Sequence, residues 1–144
     1  MVPAPQETKM AEQTLVPDED VSVAWTPTPG PDNYEAINGG IGSGDDTEYV
    51  STDVNGTADQ YGFPDALVNT GYTYEINLDI RFKTTIITNV LRIELFIDSV
   101  SQGTQDISPS IADTIENQTV AFVLARPIGA VRANTITYKQ TFIH

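Results

Sequence analysis

The chain has 144 residues, no cysteine and a net charge of −13. That length suits one domain able to bury roughly 70% of its unfolded surface. The lack of cysteine excludes disulfides, thiolate metal sites and cysteine nucleophiles, and the acidic balance disfavours binding to phosphate backbones, so no nucleic-acid partner is expected.

The charge is unevenly spread. Residues 1–79 carry 15 acids against one base, Lys9, whereas residues 80–144 carry five acids and six bases. Such asymmetry suits an acidic face or arm beside a near-neutral half. The longest apolar run, Val120 to Ala125, is too short for a membrane span or the core of a signal peptide, so no membrane partner is expected.

Residues 1–20, "MVPAPQETKMAEQTLVPDED", hold three prolines and no sustained period. A segment of this kind buries little apolar surface alone, and it reads as an extended N-terminal arm. Residues 21–144 read as a β-sandwich domain. In "VSVAW", Val21, Val23 and Trp25 alternate onto one side, as in a half-buried strand. "TPTPGPDN" and the glycine-rich "INGGIGSGDD" are loops. "TEYVS" is a short strand, "DVNG" a turn, and "DQYGFPD" another short strand closed by Pro64.

The clearest element is "YTYEINLDIRF". Tyr72, Tyr74, Ile76, Leu78, Ile80 and Phe82 take one side, and Thr73, Glu75, Asn77, Asp79 and Arg81 take the other. Eleven residues of strict alternation predict one long strand with a dry and a wet face. "TTIITN" turns the chain. "LRIELFID" repeats the device through Leu91, Ile93, Leu95 and Ile97, with Phe96 on the polar side. "DSVSQGTQD" reads as turn or loop, and "SPSIADTIEN" as a short helix or an irregular crossing segment. "TVAFVLA" alternates again, "RPIG" makes a turn, and "NTITYKQTF" places Ile136, Tyr138 and Phe142 on one side. Seven or eight strands with irregular links predict an all-β, antiparallel, jelly-roll-like sandwich.

Catalytic groups are scarce. The only histidine is His144, the last residue given, a poor place for a base that needs fixed geometry. Paired carboxylates for glycoside hydrolysis need two acids about 5 to 9 Å apart, one of them perturbed by burial. Only Glu94 sits in an apolar run, and its strand phase points it outward. Gly39, Gly40 and Gly42 lack the Lys-Ser or Lys-Thr of a phosphate loop. Hence no catalytic residue, cofactor or metal ligand is assigned, and no enzyme activity is expected.

Two alternatives stay open in the loops. "GSGDDTE", with Asp45 and Asp46, offers hard oxygen ligands, although its spacing is not that of an EF-hand. These acids hold calcium, meet a basic neighbour, or face water. Trp25, Tyr49, Tyr61 and Phe63 either form a sugar-stacking platform or belong to the core, and the phase of Trp25 favours the core.

The block from Val23 to Asp65 resembles a module recurrent in the virion proteins of tailed bacteriophages. The resemblance rests on the strand ending in Trp25, the aromatic-x-x-Ile element Tyr34-Glu35-Ala36-Ile37, the acidic strand from Asp45 to Ser51, and the Y-x-F-x-D strand from Tyr61 to Asp65. With the two alternating strands that follow, it spans about residues 21–98. It implies a non-enzymatic β-sandwich of the kind found in capsid decoration, or cement, proteins. It further implies a homo-oligomer, a trimer in many such proteins, on the outside of the shell, with the major capsid protein as partner. The chain would then be made in the host cytoplasm and reside in the virion. The alternative is a tail or appendage module that binds carbohydrate or a receptor, with calcium as a possible requirement and Tyr34 as a contact.

Overall fold

A computed structural model describes residues 15, 17–28, 49–63, 72–129 and 136–144, with the backbone alone at 72–74 and 125–129. The described residues form nine strands in chain order: β1 (Glu19–Ser22), β2 (Thr26–Thr28), β3 (Tyr49–Ser51), β4 (Ala58–Gly62), β5 (Tyr72–Phe82), β6 (Val90–Ile97), β7 (Val100–Ile107), β8 (Glu116–Gly129) and β9 (Ile136–Ile143). Among the described residues there is no helix. Every strand pair is antiparallel.

Five strands form one sheet in the order β1-β4-β9-β6-β7, and β5 pairs with β8 opposite it. β2 and β3 form a separate two-stranded ribbon. The core lies between the two main layers. Tyr61, Leu91, Ile93, Leu95, Ile107, Ile136 and Tyr138 come from the five-stranded sheet, and Leu78, Val120, Phe122 and Leu124 from β5 and β8. The fold is therefore an antiparallel β-sandwich. The described strands establish that architecture and not the finer jelly-roll winding.

The alternating segments behave as their period demands. β5 has the bounds expected from the sequence, with Leu78 buried, Ile76, Ile80 and Phe82 against the core, and Glu75, Asn77, Asp79 and Arg81 exposed. In β6, Leu91, Ile93 and Leu95 are buried, and Phe96 is half-buried on the outer face. In β8, Val120, Phe122 and Leu124 are buried between the exposed Ala121 and Val123.

Three segments depart from the sequence expectation. "VSVAW" is not one strand: β1 ends at Ser22, and Val21 and Val23 are exposed. The register slips between Asp20 and Ser22, and the backbone leaves the sheet before Trp25 packs on the core. The sheet also begins earlier than Val21. Asp18 N donates to Gly62 O (2.9 Å), and Glu19 and Asp20 pair with Gly62 and Tyr61.

"DSVSQGTQD" is mostly strand rather than loop. Asp98 and Ser99 both have positive φ (50° and 67°), as a two-residue hairpin turn of the primed type requires, and β7 then pairs along β6. "RPIG" continues β8 instead of turning. Thr73 faces Ile128 and Glu75 faces Val123, so the extra β8 residues bulge out. Pro127 lies in that bulge, where its missing N–H breaks no ladder. Residues 108–115 form bends and turns, which makes them the irregular crossing segment and not the short helix.

Candidate interaction surface

The inner face of the sandwich carries one polar group of note. Asp59 is fully buried on β4. Its Oδ1 accepts hydrogen bonds from the backbone N–H of Ala24 (2.6 Å) and of Trp25 (2.8 Å), and its Oδ2 accepts one from the Tyr61 hydroxyl. Tyr138, opposite Tyr61 on β9, lies with its ring centroid 5.5 Å from that of Tyr61, and its hydroxyl donates to Gln140 Oε1 (3.3 Å). Burial, and after it the charge of Asp59, pushes the Tyr138 hydroxyl well above the ordinary tyrosine range. The group is enclosed by the two layers and bonded to the chain itself. Its arrangement is that of a clamp on residues 24–25.

The outer face of the five-stranded sheet is laced by charge. Arg92 donates to both carboxylate oxygens of Asp106 (2.8 and 3.1 Å). That bond holds the Asp106 carboxyl below the usual aspartate range. Glu94 points outward, as its phase demands, accepts from Ser101 Oγ (2.7 Å) and lies 3.6 Å from Lys139 Nζ. Its partners identify it as part of a surface network.

The aromatics proposed as a sugar platform divide. Tyr61 is in the core, and Trp25 and Phe63 pack against it, with Trp25 Nε1 donating to Thr57 O (3.1 Å). Tyr49 alone of the four is exposed. Tyr34, Asp45, Asp46 and Glu48 lie outside the described residues. Among the described residues no three or more His, Cys, Asp and Glu side chains gather into a group able to hold a metal ion. Nor is any described helix long and apolar enough to cross a membrane.

A different feature stands out at one end of the sandwich. Strand pairing brings four segments there. Phe82, closing β5, faces Glu116, opening β8. Val90, opening β6, faces Ile143 on β9, and Leu91 faces Ile107 at the close of β7. Ala58, opening β4, faces Thr141. The loops 52–57, 83–89 and 108–115 and residue 144 therefore share this end. Asp113 N donates to Thr84 O (2.7 Å), which ties loop 108–115 to loop 83–89. His144 N donates to Asn55 Oδ1 (3.1 Å), and Gly56 N to Phe142 O (2.8 Å).

Each loop also closes on itself. Thr84 Oγ1 and Asn89 N both donate to Ile86 O (2.9 and 3.1 Å), Thr57 Oγ1 donates to Val54 O (2.8 Å), and Ser110 N donates to the Glu116 carboxylate. On these braced loops Val54, Ile86, Ile87, Ile111 and Ile115 are between 40% and 61% exposed. They make up half of the ten exposed large apolar residues among those described. Exposed apolar side chains gathered in this way mark contact surfaces. Reading "TTIITN" only as a turn misses them, although two adjacent isoleucines in a turn are themselves a signal, since turn positions favour polar residues.

Comparison of the chain with known protein families, with curated proteins and with solved structures finds no match.

Proposed function

We propose that the chain is a non-enzymatic structural protein of a tailed-phage virion, a capsid decoration protein that binds the outside of the shell and stabilises contacts between capsomers. Three things support this reading. The block from Val23 to Asp65 resembles such modules, the described strands form an antiparallel β-sandwich, and one end presents braced apolar loops. The last carries the most weight, because side chains such as Ile86 and Ile111 held out on tied loops suit docking against another protein surface. The major capsid protein is the partner in this reading, and the chain acts as a homo-oligomer, with a trimer as the expected form.

The test compares particles with and without the chain. Loss of resistance to heat and pressure, restored by adding purified protein, is the expected result. Unchanged resistance, together with density for the chain on the tail in a particle map, would overturn it. The tail or appendage alternative has one described feature in its favour, the exposed ring of Tyr49. Glycan binding lost in Tyr49→Ala would favour that alternative.

A further inference from the structure

We propose that Asn55 is a self-modification site and that the end of β9 guards it. The inference is independent of the virion reading. Asn55 is followed by Gly56, and both are exposed in the turn of residues 54–57, which Thr57 N closes on Val54 O (3.3 Å). Asparagine is chemically labile because its side-chain amide is open to attack by the next backbone nitrogen. Glycine hinders that attack least, having no side chain to shield its nitrogen. Gly56 N bonds to Cγ of Asn55, the side-chain nitrogen leaves as ammonia with the Gly56 N–H proton, and a five-membered imide closes. One water then opens the ring at either carbonyl. The product is aspartate or its isomer with a longer backbone, isoaspartate.

The end of β9 holds both reacting groups. Gly56 N, the attacking atom, donates to Phe142 O (2.8 Å). Asn55 Oδ1, on the attacked amide, accepts from His144 N (3.1 Å). Phe142 N donates in turn to Thr57 O (3.1 Å). While these bonds stand, the Gly56 proton is held against a carbonyl and the nitrogen is not free to close on Cγ. Reaction therefore requires residues 142–144 to lift away. That opening is local. Ile136, Thr137, Tyr138 and Gln140 are buried, whereas residues 141–143 are half-buried and His144 is exposed. Few buried contacts mean a low cost of opening. Isoaspartate adds a carbon to the backbone of the turn and displaces the Gly56 and Thr57 groups that pair with Phe142. The conversion is one-way, and it loosens the end of β9.

The test incubates the full chain, folded and in urea, at mildly alkaline pH. Asn55 is followed by peptide mass and by isoaspartyl methyltransferase labelling. Conversion in the folded chain should be at least about tenfold slower than in urea, because it waits on local opening. Amide exchange followed by NMR should show Gly56 protected. Phe142→Ala removes a ring whose centroid lies 5.7 Å from that of His144. It should raise Gly56 exchange and folded-state conversion by a similar factor and leave the rate in urea unchanged. Asn55→Gln should lose the label at this position. Equal rates in the folded and urea-unfolded chain overturn the proposal. So does faster Gly56 exchange in Phe142→Ala with conversion unchanged. Should Phe142→Ala not fold, the wild-type comparison with and without urea, together with Gly56 exchange, still decides.

Discussion

Asp59 holds Trp25 by its backbone. The buried carboxylate on β4 accepts the N–H groups of Trp25 (2.8 Å) and Ala24 (2.6 Å), 34 and 35 residues earlier in the chain. These are donors that a strand would have used in a ladder. The side chain thus takes the place of a neighbouring strand and turns the chain out of β1 toward β2. Removing it takes away the acceptor that the Ala24 and Trp25 N–H groups and the Tyr61 hydroxyl share. Asp59→Ala should cost about 3–5 kcal/mol. Denaturant unfolding measures that cost. Trp25 is the sole tryptophan, so its emission should also shift to the red as the segment loosens. Asp59→Asn, which keeps one acceptor oxygen, should cost less. Wild-type stability in Asp59→Ala would show that the clamp holds nothing.

The two faces of β5 make a paired test. Leu78 is buried against β8 and the opposing sheet, and its neighbour Asn77 is exposed. Leu78→Ala should destabilise by about 2–5 kcal/mol, and Leu78→Asp by more, because a charge would enter a dry layer. Asn77→Ser should lie within about 0.5 kcal/mol of wild type. Equal effects at 77 and 78 would contradict the face assignment.

What the sequence shows and what it hides follow from where each strand gets its stability. β5 and β6 are legible because burial of one face writes a period of two into the residues themselves. β7 is not legible. Of its eight residues only Ile107 is buried, and its strand state comes from pairing along β6 rather than from its own pattern. Pro127 and Gly129 look like turn residues but occupy a bulged strand, since a bulge tolerates proline as readily as a turn does. "VSVAW" shows the opposite error, a regular pattern overridden by one distant carboxylate. The candidate surface was hidden differently. Ile86, Ile87, Ile111 and Ile115 are visible as residues, but only the pairing of β5 with β8 and of β6 with β7 brings their loops together.

The β6–β7 turn offers a gain in stability. Ser99 sits at φ 67°, where a side chain is strained and glycine is not. Ser99→Gly removes that strain while adding backbone entropy to the unfolded chain. A net stabilisation of about 0.5–1 kcal/mol is expected from thermal unfolding, with the hairpin register unchanged. Destabilisation by a similar amount would mean that contacts of the Ser99 side chain outweigh its backbone strain.

The Arg92–Asp106 pair sets a pH dependence of known sign. Hydrogen bonding to Arg92 lowers the carboxyl of Asp106 in the folded state. The contribution of the pair is therefore fully present above the ordinary aspartate range and is lost as the pH falls through the lower folded value. Near neutral pH it adds no slope. Titration followed by carboxyl-carbon NMR should show Asp106 ionising at lower pH than an exposed aspartate, and Arg92→Gln should return it to the ordinary range. A wild-type Asp106 that titrates normally would mean that the two-point contact does not persist in water.

The boundary of the sheet sharpens how the N-terminal segment is to be tested. Removing residues 1–20 would take away Glu19 and Asp20 of β1 and the Asp18 N–H bond to Gly62 O. It would expose the edge of β4, so any loss of particle binding would be confounded by damage to the fold. Removing residues 1–14 deletes none of the described hydrogen bonds or strands. That shorter truncation should unfold at the wild-type denaturant midpoint and keep the Trp25 emission. If residues 1–14 act as an attachment arm, its occupancy on shells should fall well below that of the full chain, because attachment through a second site multiplies the first. Full occupancy with the shorter chain would assign attachment to the sandwich alone, and the braced loops carrying Ile86 and Ile111 would be the first place to look for it.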